Sequence, residues 1–270
     1  MTKVISIMTQ KGGVGKSTLT NAIMLDWCFR DLLRTKKMPK MLLIDADAQA
    51  SISRLRLRDI EFCQMDMGGK EFASLNETVQ TAVKEVRAQF AALFSQLNWR
   101  YYNIFSVRPD DDGETRRRAI QLIESGEYDY VFIDMPGSLH QEGTAELFTC
   151  INFLIIPVYI GSYDIQSSLD FCGIIKGLKD TTIAEVRCVF NSYEVLKGAK
   201  FDEIERELHA LTGVPFFKTR VKRTSFFSSR SYNSIVPPTY RMNLNTLEVV
   251  SMSRTTNVGE LTDEIKKLVK

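Results

Sequence analysis

Residues Gln10–Thr18 read Gln-Lys-Gly-Gly-Val-Gly-Lys-Ser-Thr, and this run constrains the chain more than any other. It follows a short apolar run, Val4-Ile5-Ser6-Ile7-Met8, and precedes a helical pattern from Leu19 to Leu33. Strand, glycine loop and helix in that order are the context a phosphate-binding loop needs. The glycines let backbone N–H groups turn inward onto an anion, and the helix start adds its dipole. Lys16 adds a point charge for β- and γ-phosphates, and Ser17 is placed to ligate Mg²⁺. The candidate nucleotide-holding residues are Gly12, Gly13, Val14, Gly15, Lys16, Ser17 and Thr18.

Further apolar runs alternate with helical patterns, which predicts a mostly parallel, twisted α/β sheet covered by helices on both faces. The predicted strands are Val4–Met8, Met41–Asp45, Tyr130–Asp134, Phe153–Val158 and Val186–Asn191, with a more polar extended segment over Val214–Lys222. Each strand is a continuous apolar run, the pattern of burial on two faces. Pro237-Pro238 marks a loop rather than a linker, so the 270 residues read as one domain. Residues Ser74–Leu97 carry a stripe of Leu75, Val79, Ala82, Val86, Phe90, Leu93 and Leu97 at helical spacing. Ser74 with Glu77 has the form of a capping box. The stripe fits either core packing or a partner surface.

Lys+Arg 35 against Asp+Glu 33 leaves a net charge of +2, so any nucleic-acid surface is a local patch. Cys28, Cys63, Cys150, Cys172 and Cys188 are scattered without a Cys-x-x-Cys, which argues for a reducing cytoplasm rather than for metal or disulfide use. The chain enters its first strand directly, with no signal peptide expected. Its longest apolar stretch, Ile151–Ile160, is broken by Pro157 and falls short of the ~20 residues of a spanning helix, so no integral membrane association is expected.

Two more strand ends carry carboxylates. Asp45-Ala46-Asp47-Ala48-Gln49 closes Met41–Ile44, and carboxylates at the carboxyl end of a parallel strand lie beside the ligand crevice. Two aspartates two residues apart share a face only while the strand stays extended. Asp134 closes Tyr130–Ile133 before a Met135-Pro136-Gly137-Ser138 turn. It can hold a Mg²⁺-bound water, and the Gly137 N–H can report on a γ-phosphate. Later, Lys218, Arg220 and Lys222 alternate and would share one face of an extended chain, with Arg223 and Arg230 beyond. Such a row fits a solvated edge strand or a phosphate-neutralising patch.

The loop departs from the general phosphate-loop pattern: Gln10 stands where glycine is usual, and Lys11 adds a second lysine. Lys-Gly-Gly-Val-Gly-Lys-Ser resembles the deviant loop of the ParA/MinD family of dimerising ATPases, and Gln10 is similar to its ParA branch. The resemblance covers residues 1–50 and 128–223, takes in Val258–Val269, and is weakest across Ile52–Thr115, a variable helical segment. It implies that Lys11 reaches across an ATP-dependent homodimer to the partner's ATP. It implies that Asp47 orients the attacking water and Asp45 supports Mg²⁺, although Ala48 replaces the proline usual there. It implies adenine contacts from Asn191 and Pro215, and sequence-independent double-stranded DNA binding through Lys218, Arg220, Lys222 and Arg223.

The implied activity is slow, partner-stimulated ATP hydrolysis in positioning a plasmid, chromosome, mobile element or protein cargo. A MinD-like membrane switch needs an amphipathic basic tail, and the tail Glu264–Lys270 has no aromatic residue. An iron–sulfur relative would need a cysteine soon after Asp134, and Met135–Leu147 has none. A tyrosine autokinase would need a C-terminal tyrosine cluster, yet the last tyrosine is Tyr240. An ATP-dependent adaptor with incidental hydrolysis completes the alternatives.

Overall fold

A computed structural model describes residues 1–108, 112–137, 144–159, 162–178, 183–191, 199–228, 232–243, 249–251 and 253–270. Ser138 and Arg230 lie outside the described residues. The first half runs β1 (Lys3–Ile7), α1 (Lys16–Thr35), β2 (Met41–Asp45), α2 (Ser51–Gln64), α3 (Lys70–Ser74), α4 (Glu77–Leu97), β3 (Asn103–Ser106) and α5 (Glu114–Glu124). The second runs β4 (Tyr130–Asp134), α6 (Thr144–Thr149), β5 (Phe153–Val158), α7 (Ser162–Gly177), β6 (Glu185–Phe190), α8 (Ala199–Thr212), β7 (Tyr240–Met242), β8 (Val249–Ser251), α9 (Ser253–Thr256) and α10 (Val258–Val269).

β1 to β6 form one parallel sheet in the order β3-β2-β4-β1-β5-β6. Successive strand residues serve opposite faces. Ile5, Leu43, Phe132 and Ile155 join the core under α1, α2, α4 and α10. Val4, Leu42, Ile44, Val131, Ile133, Leu154 and Ile156 join the core under α5 to α8. Both neighbours in sequence must be apolar, which explains the unbroken runs. The sheet order brings the carboxyl ends of β2, β4 and β1 side by side, and ligands of open parallel sheets bind outside such ends.

The structure adds one strand to the expected sheet and moves one helix cap. β3 is a strand that the sequence pattern does not reveal: at the sheet edge its Asn103 and Ser106 are exposed and it lacks a doubly buried run. Val214–Lys222, expected as an extended segment, is short of a full strand. It runs beside β6 through one parallel bridge, Cys188 to Phe216, with Phe217 N donating to Cys188 O and Val221 N to Phe190 O. The cap of α4 is Asn76, whose side chain accepts from Val79 N, while the Ser74 hydroxyl closes α3 by donating to Glu71 O.

Of the stripe, Ala82, Val86 and Leu93 are buried and Leu75, Val79, Phe90 and Leu97 half-buried; Val83 beside it is buried too, and the helix packs on α2. Phe94 remains exposed beneath the Arg100 guanidinium. The loop containing Pro237 and Pro238 is itself buried. Arg56 on α2 donates to Ser234 Oγ, Ser234 O and Tyr102 O, and Trp99 Nε1 donates to Ile235 O. Asn21 on α1 joins this network through the hydroxyls of Tyr232 and Tyr102. These bonds link α1, which leaves the glycine loop, to α2, which leaves the Asp45 turn.

Candidate nucleotide and magnesium site

The chain after β1 turns through Gly13 and Gly15 at φ of 76° and 83°, conformations that L side chains rarely adopt. Gly15 also meets a neighbour: a Cβ there would lie 2.9 Å from Asn191 Nδ2. α1 starts at Lys16 with its N-terminus at the loop, so helix dipole and lysine act at one place. Lys16 is buried, and its Nζ donates to Lys11 O at 3.2 Å across the loop. Gly137 lies against the same loop, since a Cβ there would be 3.2 Å from Gln10 O and 3.6 Å from Lys16 Nζ.

Asp45 and Asp134 are opposite one another in the β2–β4 register, and both are fully buried. One oxygen of Asp45 accepts from Ser53 N at 2.8 Å and Ser53 Oγ at 2.6 Å, and the Ser53 hydroxyl also meets Ser106 Oγ at 2.7 Å. Sequence reasoning missed Ser53 and Ser106, which no motif marks. Among the described residues, no donor meets the other oxygen of Asp45 or either oxygen of Asp134 at hydrogen-bonding geometry. Burial raises the pKa of Asp134 to about 7; the Ser17 hydroxyl opposes this, and Asp45 and Asp47 add to it. Burial likewise raises Asp45, against the bonds from Ser53.

Buried carboxylate oxygens without donors are costly unless a cation completes them. Mg²⁺ is commonly held by one or two carboxylates together with substrate phosphates, not by an all-protein cage. Among the described residues no group of three His, Cys, Asp or Glu side chains could hold a metal unaided. The donor set Ser17, Asp45 and Asp134 therefore fits Mg²⁺ arriving with a phosphate ligand.

Asp47 stands beyond the end of β2, so strand alternation does not set its direction. It is partly exposed, and its Oδ1 accepts from Gln49 N in a turn that leads through Ala50, at φ 46°, into α2.

On the other side of the loop, Asn191 directly follows β6 and is buried. Its Nδ2 donates to Val14 O at 2.6 Å, which fixes the glycine loop to β6. Gly13, Gly15, Thr18, Leu19, Asn191, Arg223, Thr224 and Phe227 line a cavity of roughly 250 Å³ beside the loop. Thr224 and Phe227 were not anticipated from sequence. Pro215 is half-buried, and its carbonyl accepts from Cys188 N on β6.

Among the basic residues, Lys218 and Arg223 are exposed and Lys222 is half-buried. Arg220 is committed elsewhere: it pairs with Asp202 at 2.5 Å and Glu205 at 3.4 Å on α8, over the Phe201 ring.

The sequence matches a protein-family profile described as an AAA domain over residues 2–188. It is 24% identical over 246 residues to the sporulation initiation inhibitor protein Soj of Bacillus subtilis (strain 168), spanning 90% of this chain and 87% of Soj. The structure is similar to that of the septum site-determining protein MinD of Pyrococcus horikoshii complexed with Mg-ADP. That match has a TM-score of 0.55 and 16% identity, over 99% of this chain and 97% of the other. A ParA family ATPase from Chlorobium tepidum gives a TM-score of 0.53 at 11% identity, with 97% of each chain covered. The loop Gln10–Thr18, the six-stranded parallel sheet and the profile match converge: the chain belongs to the ParA/MinD family of P-loop ATPases.

Proposed function

We propose that this protein is an ATP-dependent dimerising switch that binds DNA without sequence preference and positions a plasmid, chromosome, mobile element or protein cargo. The observation that carries this reading is the convergence, at the carboxyl ends of the central strands β1, β2 and β4, of a two-lysine glycine loop, Gly137, and two buried carboxylates whose oxygens lack donors among the described residues. Lys16, Ser17, Thr18 and the loop N–H groups hold the ATP phosphates. Ser17, Asp45 and Asp134 hold Mg²⁺, whose chemistry is to neutralise charge on the phosphates. Lys11 supplies charge to the partner protomer's ATP, and Asp47 positions the attacking water. Catalysis is then positioning plus charge stabilisation, with hydrolysis slow until a partner protein completes the arrangement. Asn191 and Pro215, with Thr224 and Phe227, border the base.

DNA binding rests on Lys218, Lys222 and Arg223, with Arg220 contributing less because Asp202 and Glu205 meet its charge. The membrane-associated alternative is disfavoured by α10. Its Leu261, Ile265 and Val269 are buried, and the helix packs along α1.

The test is binding of Asp47→Ala protein to a random-sequence duplex with ATP–Mg²⁺, with ADP and with neither, at two salt concentrations. Tight, salt-sensitive binding with ATP alone is expected, weakened by Lys222→Ala with Arg223→Ala and less by Arg220→Ala. Equal, absent binding in all three states, in protein shown to hold ATP as a dimer, would remove DNA from the account. Phosphate release unchanged by Asp47→Ala would remove Asp47 from hydrolysis and favour an adaptor.

A further inference from the structure

Asp45 has a different task on each carboxylate oxygen. Ala50, the residue before α2, offers that helix no side-chain cap. A capping side chain would serve a backbone donor of the first turn, such as the N–H of Ser53 in the third position. Asp45 Oδ2 serves it instead, at 2.8 Å. The Ser53 hydroxyl adds a second bond to the same oxygen at 2.6 Å. The other oxygen, Oδ1, meets no donor at hydrogen-bonding geometry among the described residues.

The edge strand backs this arrangement. Asp45 is opposite Ser106 in the β2–β3 register and opposite Asp134 in the β2–β4 register, so the three residues form one row across the sheet. Ser106 Oγ is 2.7 Å from Ser53 Oγ. An ionised carboxylate only accepts, so the Ser53 hydroxyl hydrogen points to Asp45 and the Ser106 hydroxyl donates to Ser53 Oγ. The bonds then run one way, from Ser106 through Ser53 to Asp45, and such chains polarise one another. β3 has no doubly buried apolar run, yet its last residue completes the row.

We propose that Ser53, backed by Ser106, is a positioning residue for Mg²⁺. Two donors on Oδ2 fix the rotation of the Asp45 carboxylate and leave Oδ1 as the oxygen open to a cation. Mg²⁺ demands near-ideal octahedral geometry, so a carboxylate free to rotate holds it less well. Ser53 acts through Asp45 and is not itself a ligand. This inference rests on the reading of Ser17, Asp45 and Asp134 as the Mg²⁺ site. If the two serines only held α2 against the sheet, their loss would lower stability and leave the response to Mg²⁺ unchanged.

The experiment measures ATP binding by calorimetry, in a chelator and across a Mg²⁺ titration. It compares the intact wild-type protein with Ser53→Ala, Ser53→Thr and Ser106→Ala, and adds denaturant melts of each in the chelator. Ser53→Ala should raise by about tenfold the Mg²⁺ concentration that gives half of the effect on ATP affinity, the usual cost of losing a group that orients a metal ligand. ATP affinity in the chelator should not change. Ser53→Thr keeps the hydroxyl and should stay close to wild type. Ser106→Ala keeps both Ser53 bonds and should move the half-effect the same way by a smaller factor. If Ser53→Ala folds poorly, Ser106→Ala decides, because Ser106 lies exposed at the sheet edge. Lower stability of the alanine variants with an unchanged Mg²⁺ half-effect would overturn the inference, and so would a threonine variant as impaired as the alanine one. Wild-type protein whose ATP affinity is indifferent to Mg²⁺ would instead overturn the Mg²⁺ site itself, and the role of Ser53 with it.

Discussion

At the scale of single residues, the site holds charge that the ligand-free chain does not satisfy. Lys16 spends its ammonium on Lys11 O, a bond easily exchanged for phosphate oxygens. Lys16→Ala should raise Kd for ATP by about 100-fold, on roughly 1.5–3 kcal/mol per charge-assisted hydrogen bond. Calorimetry finding unchanged affinity would contradict the loop's role. Asp134 is the converse case, a buried carboxylate whose two oxygens meet no donor at hydrogen-bonding geometry among the described residues. Asp134→Asn should stabilise the ligand-free protein, by about 1–3 kcal/mol, while weakening Mg²⁺-dependent ATP hydrolysis. Denaturant melts in the presence of a chelator, set beside phosphate-release assays, would expose a parallel loss of both, which this account does not allow. The carboxylates were legible in sequence because they close apolar runs. Ser53 was not, because its partner Asp45 lies eight residues upstream and the bond depends on how α2 leaves the turn.

At the scale of elements, buried strands announced themselves and edges did not. Met41–Asp45, Tyr130–Asp134 and Phe153–Val158 have the predicted bounds, because two-faced burial forces an unbroken apolar run up to the terminal aspartates of the first two. β3 escapes that requirement at the edge and so reads as loop. Val214–Lys222 runs beside β6 but pairs with it too sparsely to count as a full strand. The start of α4 was misread because Ser74 and Asn76 are both good caps, and the preceding α3 uses the serine. Asn76→Ala should therefore cost about 1 kcal/mol of stability, the ordinary worth of an N-cap, and Ser74→Ala distinctly less. Equal losses in thermal melts would return the cap to Ser74.

At the scale of the whole molecule, the hydrogen-bonded network through Asn21, Tyr232, Arg56 and Ser234 ties the helix after the glycine loop to the helix after Asp45 and Asp47. The α4 region packs in turn on α2. The central claim is that ATP closes two such molecules into one through Lys11. The most direct measurement is sedimentation velocity of Asp47→Ala protein with ATP–Mg²⁺ and with ADP, alone and combined with Lys11→Ala. The account predicts a dimer with ATP, a monomer with ADP, and a monomer that still binds ATP when Lys11 is also replaced. A monomer in every state despite bound ATP, or dimers indifferent to Lys11, would contradict it.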